Sequence, residues 1–131
     1  MNRSIQMKIS RAEHAHTDGR GSIFDVVLDD QVSAVAHITF TAGAIRGDHV
    51  HAQTTQWNYI VSGKLEFAIV SPGGSRTDLC AGPGDLVCLE PGEEHALRAI
   101  NDVNMMVFTM GPRAGKEYES DTVRLQKSLF A

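Results

Sequence analysis

Hydrophobic and polar residues alternate with period two through much of this chain, and turn-forming residues interrupt the alternation at short intervals. Strand side chains point to opposite faces in turn, so such alternation predicts half-buried β-strands. The clearest run is Val32 to Phe40, with Val32, Ala34, Ala36, Ile38 and Phe40 on one face and His37 on the other. Ile23 to Leu28 is β-branched and apolar enough for a preceding strand, and Asp29-Asp30 between the two runs predicts a hairpin turn. Trp57 to Ser62 and Lys64 to Ser71 form the next pair around Gly63, after which Pro72-Gly73-Gly74 turns the chain. Asp85 to Leu89, His95 to Ile100 and Val103 to Met110 complete the series, with Asn101-Asp102 as a further turn. Strands at this spacing, with almost no helical periodicity, predict an all-β sandwich or barrel rather than alternating β/α units.

No internal repeat, low-complexity stretch or linker divides residues 1–131, so one domain is expected. The first eleven or so residues and the tail 111–131 are less regular. Leu125, Leu129 and Phe130 either anchor that tail on the body or a partner subunit, or the tail frays.

Composition adds exclusions. The chain has 131 residues, 42% hydrophobic and 21% charged, ordinary for a globular protein with a sizeable core. A net charge of -4 and the lack of basic clusters interleaved with aromatics argue against a nucleic-acid partner. No secretory leader and no run of ~20 apolar residues is present, so no membrane association and a cytoplasmic location are expected. Cys80 and Cys88 make no disulfide framework; a reduced pair is expected, with Cys88 as a small core residue. Met105, Met106 and Met110 read as core filler.

The candidate chemistry lies in His49, His51, Gln56 and His95. His49 and His51 are two apart, so on a strand they project from one face. Gln56 follows after a tight-turn interval, and His95 follows the Pro91-Gly92 turn into another strand. Neutral imidazoles suit iron, manganese, nickel or zinc, and an amide oxygen completes a mixed N/O shell. The same rings can transfer protons instead. Alone, the His-x-His pair reads equally well as two rings filling a polar interior.

These residues carry a resemblance to the cupin superfamily of small jelly-roll barrels. Its first motif is matched by Gly43, His49-Val50-His51 and Gly63, with Gln56 where Glu is usual. Its second is matched by Gly84-Asp85, Pro91-Gly92 and His95, with Glu90 and Ala99 at positions where Pro and Asn are usual. The match covers residues 43–99. It implies an all-β, cupin-type jelly-roll barrel of two antiparallel sheets, paired as a homodimer through edge strands. Gln56 removes one negative charge from the ligand shell, which weakens metal binding and leaves more positive charge on any bound ion. A narrower resemblance joins Arg46-Gly47-Asp48-His49-Val50-His51 and Gln56 to the Arg-Gly-x-His-Ala-His-x4-Gln pattern of nucleotide-sugar 3,4-ketoisomerases. The tail Tyr118 to Arg124 is similar to the acidic end of those proteins. That family implies metal-free proton shuttling by the paired histidines.

The reading reached is a small-molecule enzyme, with a divalent transition metal (Fe, Mn, Ni or Zn) at His49, His51, Gln56 and His95. It would isomerise or epimerise an oxygenated, carbohydrate-like substrate. His49 or His51 would move the proton, and the metal, or Arg46 in a metal-free version, would stabilise the enolate oxygen. Alternatives are an iron-dependent dioxygenase and a non-catalytic ligand-binding module. Arg46 and Arg98 either recognise a phosphate or carboxylate or serve as surface charges and strand-end ion pairs, the more frequent role. Trp57 and Tyr59 share a face, as an aromatic wall or, more often, as core packing. His37 is expected at the solvent, His14 and His16 carry no expected chemistry, and Glu93 and Glu94 read as exposed turn residues.

Overall fold

Strand alternation turns one chain into two sheets with one greasy face each, and here the two faces meet. The structure, a computed structural model, describes residues 8–27, 31–111 and 120–131. Its strands are β1 (Ile9–Arg11), β2 (Glu13–Asp18), β3 (Gly21–Asp25), β4 (Ala34–Phe40), β5 (Ile45–His51) and β6 (Thr55–Ser62). They continue with β7 (Leu65–Val70), β8 (Arg76–Ala81), β9 (Asp85–Leu89), β10 (Glu94–Ala99), β11 (Val103–Met110) and β12 (Thr122–Arg124). One five-stranded sheet runs β1-β9-β6-β11-β4 and the other β12-β5-β10-β7-β8, with β2-β3 as a separate ribbon. Every pairing is antiparallel. The architecture is a jelly-roll barrel.

The core lies between the sheets. Ile60, Val87, Met105 and Val107 of the first sheet meet Leu65, Phe67, Ile69 and Leu97 of the second, all buried. Each such side chain contributes about 1.5–3 kcal/mol of burial. In β4, Ala34, Ala36, Ile38 and Phe40 turn inward while Val35, His37 and Thr39 are exposed, as alternation predicts. Cys88 is buried and Cys80 exposed, and neither is in a disulfide. Of the three methionines in β11, only Met105 is fully buried; Met106 is half-buried and Met110 exposed, because the strand alternates past them.

Two expected pairings are corrected. Trp57–Ser62 and Lys64–Ser71 do not form a hairpin: β6 pairs with β9 and β11, whereas β7 pairs with β8 and β10. Gly63 carries the chain from one sheet to the other at a φ of 88°, where an added Cβ would lie 2.2 Å from the Asp102 carbonyl oxygen. Likewise β3 pairs with β2, not with Val32–Phe40, and Val32 lies outside β4. Leu28 and the Asp29-Asp30 turn fall outside the described residues. The β2–β3 turn is closed by Asp18, whose carboxylate accepts the Arg20 backbone N–H at 2.9 Å.

The tail is anchored on the body. Leu125 N–H donates to the Asp48 carbonyl at 2.9 Å, and Leu129 N–H to the Asp48 carboxylate at 2.8 Å. Phe130 lies under the Arg98 guanidinium, 4.4 Å from ring centroid to Cζ. Asp121 is buried and accepts the Gln53 N–H at 2.9 Å and the Thr54 hydroxyl, pinning the β5–β6 turn.

Candidate functional site

Adjacent antiparallel strands place their directly opposed residues side by side on one face, and β5 and β10 do this with His49 and His95. Just beyond, the register steps: Ala96 opposes Gly47, leaving Asp48 as an extra residue in a bulge. Gly47 and Asp48 both have positive φ, 90° and 55°. Asp tolerates the left-handed region better than most residues, and here its side chain is tied to the tail. At Gly47 a Cβ would lie 3.0 Å from the His95 carbonyl oxygen, so only glycine lets the strands approach so closely.

The three rings form one cluster. Centroids are 4.6 Å apart for His49–His51, 4.7 Å for His49–His95 and 5.3 Å for His51–His95. One nitrogen from each ring lies within 4.8 Å of the others. The turn before β10 is closed by Gly92 N–H donating to the His51 carbonyl at 2.8 Å. His95 Nδ1 lies 3.1 Å from the Glu93 carbonyl oxygen, so Nδ1 carries the hydrogen and Nε2 is a bare acceptor. His51 Nδ1 is 3.2 Å from the Thr122 hydroxyl. His49 Nδ1 and His95 Nε2 are buried without a hydrogen-bond partner among the described residues.

Burial pushes His95 down to about 3, helped by His49 and opposed by the Glu93 carbonyl. Burial also brings His49 down to about 4, with His51 and Arg124 acting in the same direction and Asp48 against it. Both rings are therefore neutral at pH 7, the form that ligates metals and accepts protons.

The cluster opens on a cavity of about 480 Å³. Ile38, Phe40, Met105 and Val107 of the first sheet form an apolar wall, with Gln56 and Asn58 as its polar groups. Opposite lie Ile45, Arg46, Gly47, His49, His95 and Leu97, and Arg124 comes from β12. The structure thus brings Arg46, His49, Gln56 and His95 to one cavity. His51 belongs to the cluster but lies behind the cavity surface.

Other sequence candidates fall elsewhere. Arg98 pairs with Glu66 at 3.1 Å, leaving Arg46 as the motif arginine at the cavity. Trp57 and Tyr59 alternate with Gln56 and Asn58 and do not line it. His37 is exposed and bonded to Asn104, and His14 and His16 sit on the β2–β3 ribbon. Glu93 is not an exposed turn carboxylate: it pairs with Lys8 at 2.5 Å, both side chains largely buried, and accepts the Glu90 N–H at 2.7 Å. Arg124 was visible only within a tail motif; its position opposite His49 emerges from the β5–β12 register, which no local pattern encodes. Asn58 had a signal, its shared parity with Gln56.

The architecture is thus a jelly-roll barrel whose imidazole cluster opens into its interior. The family model described as "Cupin domain" matches residues 36–111, and the chain belongs to that family. Among solved structures it is similar to a 3,4-ketoisomerase from Helicobacter canadensis, at 17% identity and TM-score 0.75, covering 89% of each chain. It is similar to a sugar 3,4-ketoisomerase from Thermoanaerobacterium thermosaccharolyticum in complex with TDP, at 15% identity and TM-score 0.73, covering 91% of this chain and 89% of that one. A dTDP-4-dehydrorhamnose 3,5-epimerase from Sulfolobus tokodaii gives 16% identity and TM-score 0.71, covering 82% and 72%. At these identities the likeness is one of fold. No curated protein matches the chain. Among the described residues no helix is long and apolar enough to cross a membrane.

Proposed function

We propose that this cupin is an isomerase or epimerase acting beside the carbonyl of a carbohydrate-like substrate. The observation that carries the reading is the set of two neutral, buried imidazoles, His49 and His95, facing one cavity with the Arg46 guanidinium. The names of the structural relatives above, sugar ketoisomerases and an epimerase, support it.

The chemistry follows from the tautomer. His95 Nε2 takes the proton from the carbon next to the carbonyl, and the C–H electron pair moves to make an enolate. Arg46 N–H groups hydrogen-bond the enolate oxygen, where charge develops. The protonated ring passes that proton to neutral His49, which delivers it either to the neighbouring carbon, as the hydroxyl proton there moves to the enolate oxygen and the carbonyl shifts, or to the opposite face of the same carbon, giving isomerisation or epimerisation respectively. A low pKa keeps the acceptor form fully populated and makes the protonated ring a strong acid that gives its proton back readily. The apolar wall keeps water from the enolate.

The same nitrogens fit a divalent transition metal. Three imidazole donors within 4.8 Å, two with unpartnered nitrogens among the described residues, are what such an ion requires, and the Gln56 amide oxygen would be a fourth donor. A bound ion would supply polarisation of a substrate oxygen. A ring that ligates cannot also carry a proton, so metal binding and proton transfer compete for these atoms. Among the described residues lining the cavity, no side chain besides His49 and His95 is available to accept a proton at pH 7. That favours a second reading, an iron-dependent dioxygenase, whenever the cluster is loaded. Homodimer formation belongs to the same proposal, with β4, which carries the exposed Val35, as a sheet edge unpaired among the described residues.

The test is solvent deuterium incorporation into a panel of nucleotide-linked keto-sugars, followed by NMR with chelator-treated protein. Incorporation that survives chelator, is inhibited by Ni²⁺ and is lost in His49→Ala, His51→Ala protein is the expected result. Oxygen uptake dependent on added Fe²⁺, with no deuterium incorporation, replaces the isomerase reading by the dioxygenase one.

A further inference from the structure

We infer that the histidine cluster and the two arginines at the cavity mouth form one composite site, in which a divalent cation and an oxyanion-bearing ligand bind cooperatively. The inference rests on the metal-binding part of the reading above.

The argument is one of uncompensated charge. Among the described residues lining the cavity there is no Asp or Glu, while Arg46 and Arg124 both contribute a guanidinium. The protein as a whole carries a net charge of -4, so this positive interior runs against the balance of the molecule. The other described arginines are each held by a carboxylate: Arg11 by Asp85, Arg20 by Asp18, Arg76 by Asp78 and Arg98 by Glu66. Arg46 instead donates to the Thr39 carbonyl at 3.0 Å and lies 5.3 Å from the Phe40 ring centroid. Among the described residues neither it nor Arg124 has a carboxylate partner. The Asp48 carboxylate, next to His49 in the chain, is turned to the Leu129 amide.

A dication set among three imidazoles and an amide oxygen gains no anionic ligand from the described residues. Arg124, directly opposite His49 in the β5–β12 register, adds a like charge beside it. Removing charge from water without compensation is costly, so the bare cluster is a weak cation site. A carboxylate or phosphoryl group between the guanidiniums and the cluster supplies the missing negative charge to both. Coupling of this kind is reciprocal: the anion raises cation affinity by the factor by which the cation raises anion affinity. The ligand class is therefore a small molecule carrying a carboxylate or phosphoryl group beside an oxygen able to meet the ion.

The test is Co²⁺ titration of the chelator-treated full chain by calorimetry and by the cobalt d–d absorption. It is run at equal ionic strength in perchlorate, acetate or sulfate, the last two standing for planar carboxylate and tetrahedral phosphoryl groups. Acetate or sulfate is expected to raise Co²⁺ affinity about tenfold over perchlorate, and whichever does so more strongly names the anion geometry. Arg124→Gln is expected to bind Co²⁺ more tightly than wild type in perchlorate and to lose the anion enhancement, whereas Arg124→Lys retains part of it. Arg46→Gln, checked like the others for an unchanged circular dichroism melt, gives a second reading of the same loss. Co²⁺ binding without anion dependence, or an enhancement undiminished from wild type in both Gln variants, overturns the coupling and leaves the metal site standing. No Co²⁺ binding under any condition removes both.

Discussion

Lowering the pH from 7.5 to 4.5 should destabilise this protein through His49 and His95. In the unfolded chain each ring titrates near the ordinary histidine value of about 6.5. In the folded protein they are held down to about 4 and about 3. Between pH 6.5 and 4 the unfolded state therefore binds more protons than the folded one. Stability is fully present above pH 6.5 and is lost as pH falls toward the folded values. One differential proton costs about 1.36 kcal/mol per pH unit, so two rings give at most about 2.7. His49 lies at the cavity surface where water reaches it, so about 2 kcal/mol per unit is the working figure. From pH 6 to 4.5 the loss is then about 3 kcal/mol, a large share of the 5–15 kcal/mol typical of a domain. Carboxylates held below their usual range, Asp18 and Asp78, are exposed and act only at still lower pH. The assay is urea denaturation of chelator-treated protein at four pH values, followed by the fluorescence of the single, buried Trp57. Denaturation midpoints constant from pH 7 to 4.5 would refute the reasoning. So would an undiminished slope in the His49→Gln, His95→Gln double variant.

Gly63→Ala should cost about 3–5 kcal/mol, because left-handed strain adds to the 2.2 Å clash with the Asp102 carbonyl. Gly74→Ala, at similar φ but in open space, should cost only about 1–2 kcal/mol, and equal urea midpoints for the two variants would contradict the steric account. Asp121→Asn removes one of the acceptors pinning the β5–β6 turn and should cost about 1–3 kcal/mol, with faster proteolysis of the C-terminal segment as the readout. Once a substrate is found, Arg46→Ala should lower kcat/KM about a hundredfold or more, as loss of one donor to a developing oxyanion does. Arg98→Ala, outside the cavity and paired with Glu66, should leave kcat/KM nearly unchanged.

The inward face of each strong strand was legible in the sequence because alternation records which side chains leave water. Ile38, Phe67 and Val107 needed nothing more. Strand partners were not legible, since a period of two names a face and not a neighbour; hence the mispaired β6–β7 and β3–β4. The sequence of β2, Glu-His-Ala-His-Thr-Asp, has no apolar face to signal a strand, and the strand is exposed along its length. The histidines were legible through their spacing, and Gln56 through its interval from them. Arg124 and the Lys8–Glu93 ion pair were not, because each joins segments far apart in the chain.

The bulge at Asp48 has a consequence for how this barrel tolerates insertions and deletions. Arg46 and His49 are an odd number of positions apart, yet both reach the same cavity, because the extra residue resets the parity between them. Deleting Asp48 would leave Arg46 and His49 two positions apart and still on one face, opposite Leu97 and His95. What the deletion would remove is the carbonyl and carboxylate that hold the Leu125 and Leu129 amides, and with them the anchorage of the tail. Adding one more residue to the strand at this point is the opposite case, because it shifts the parity and turns either the guanidinium or the imidazole outward. The interval Arg-Gly-Asp-His therefore shortens at the expense of the tail and lengthens at the expense of the site.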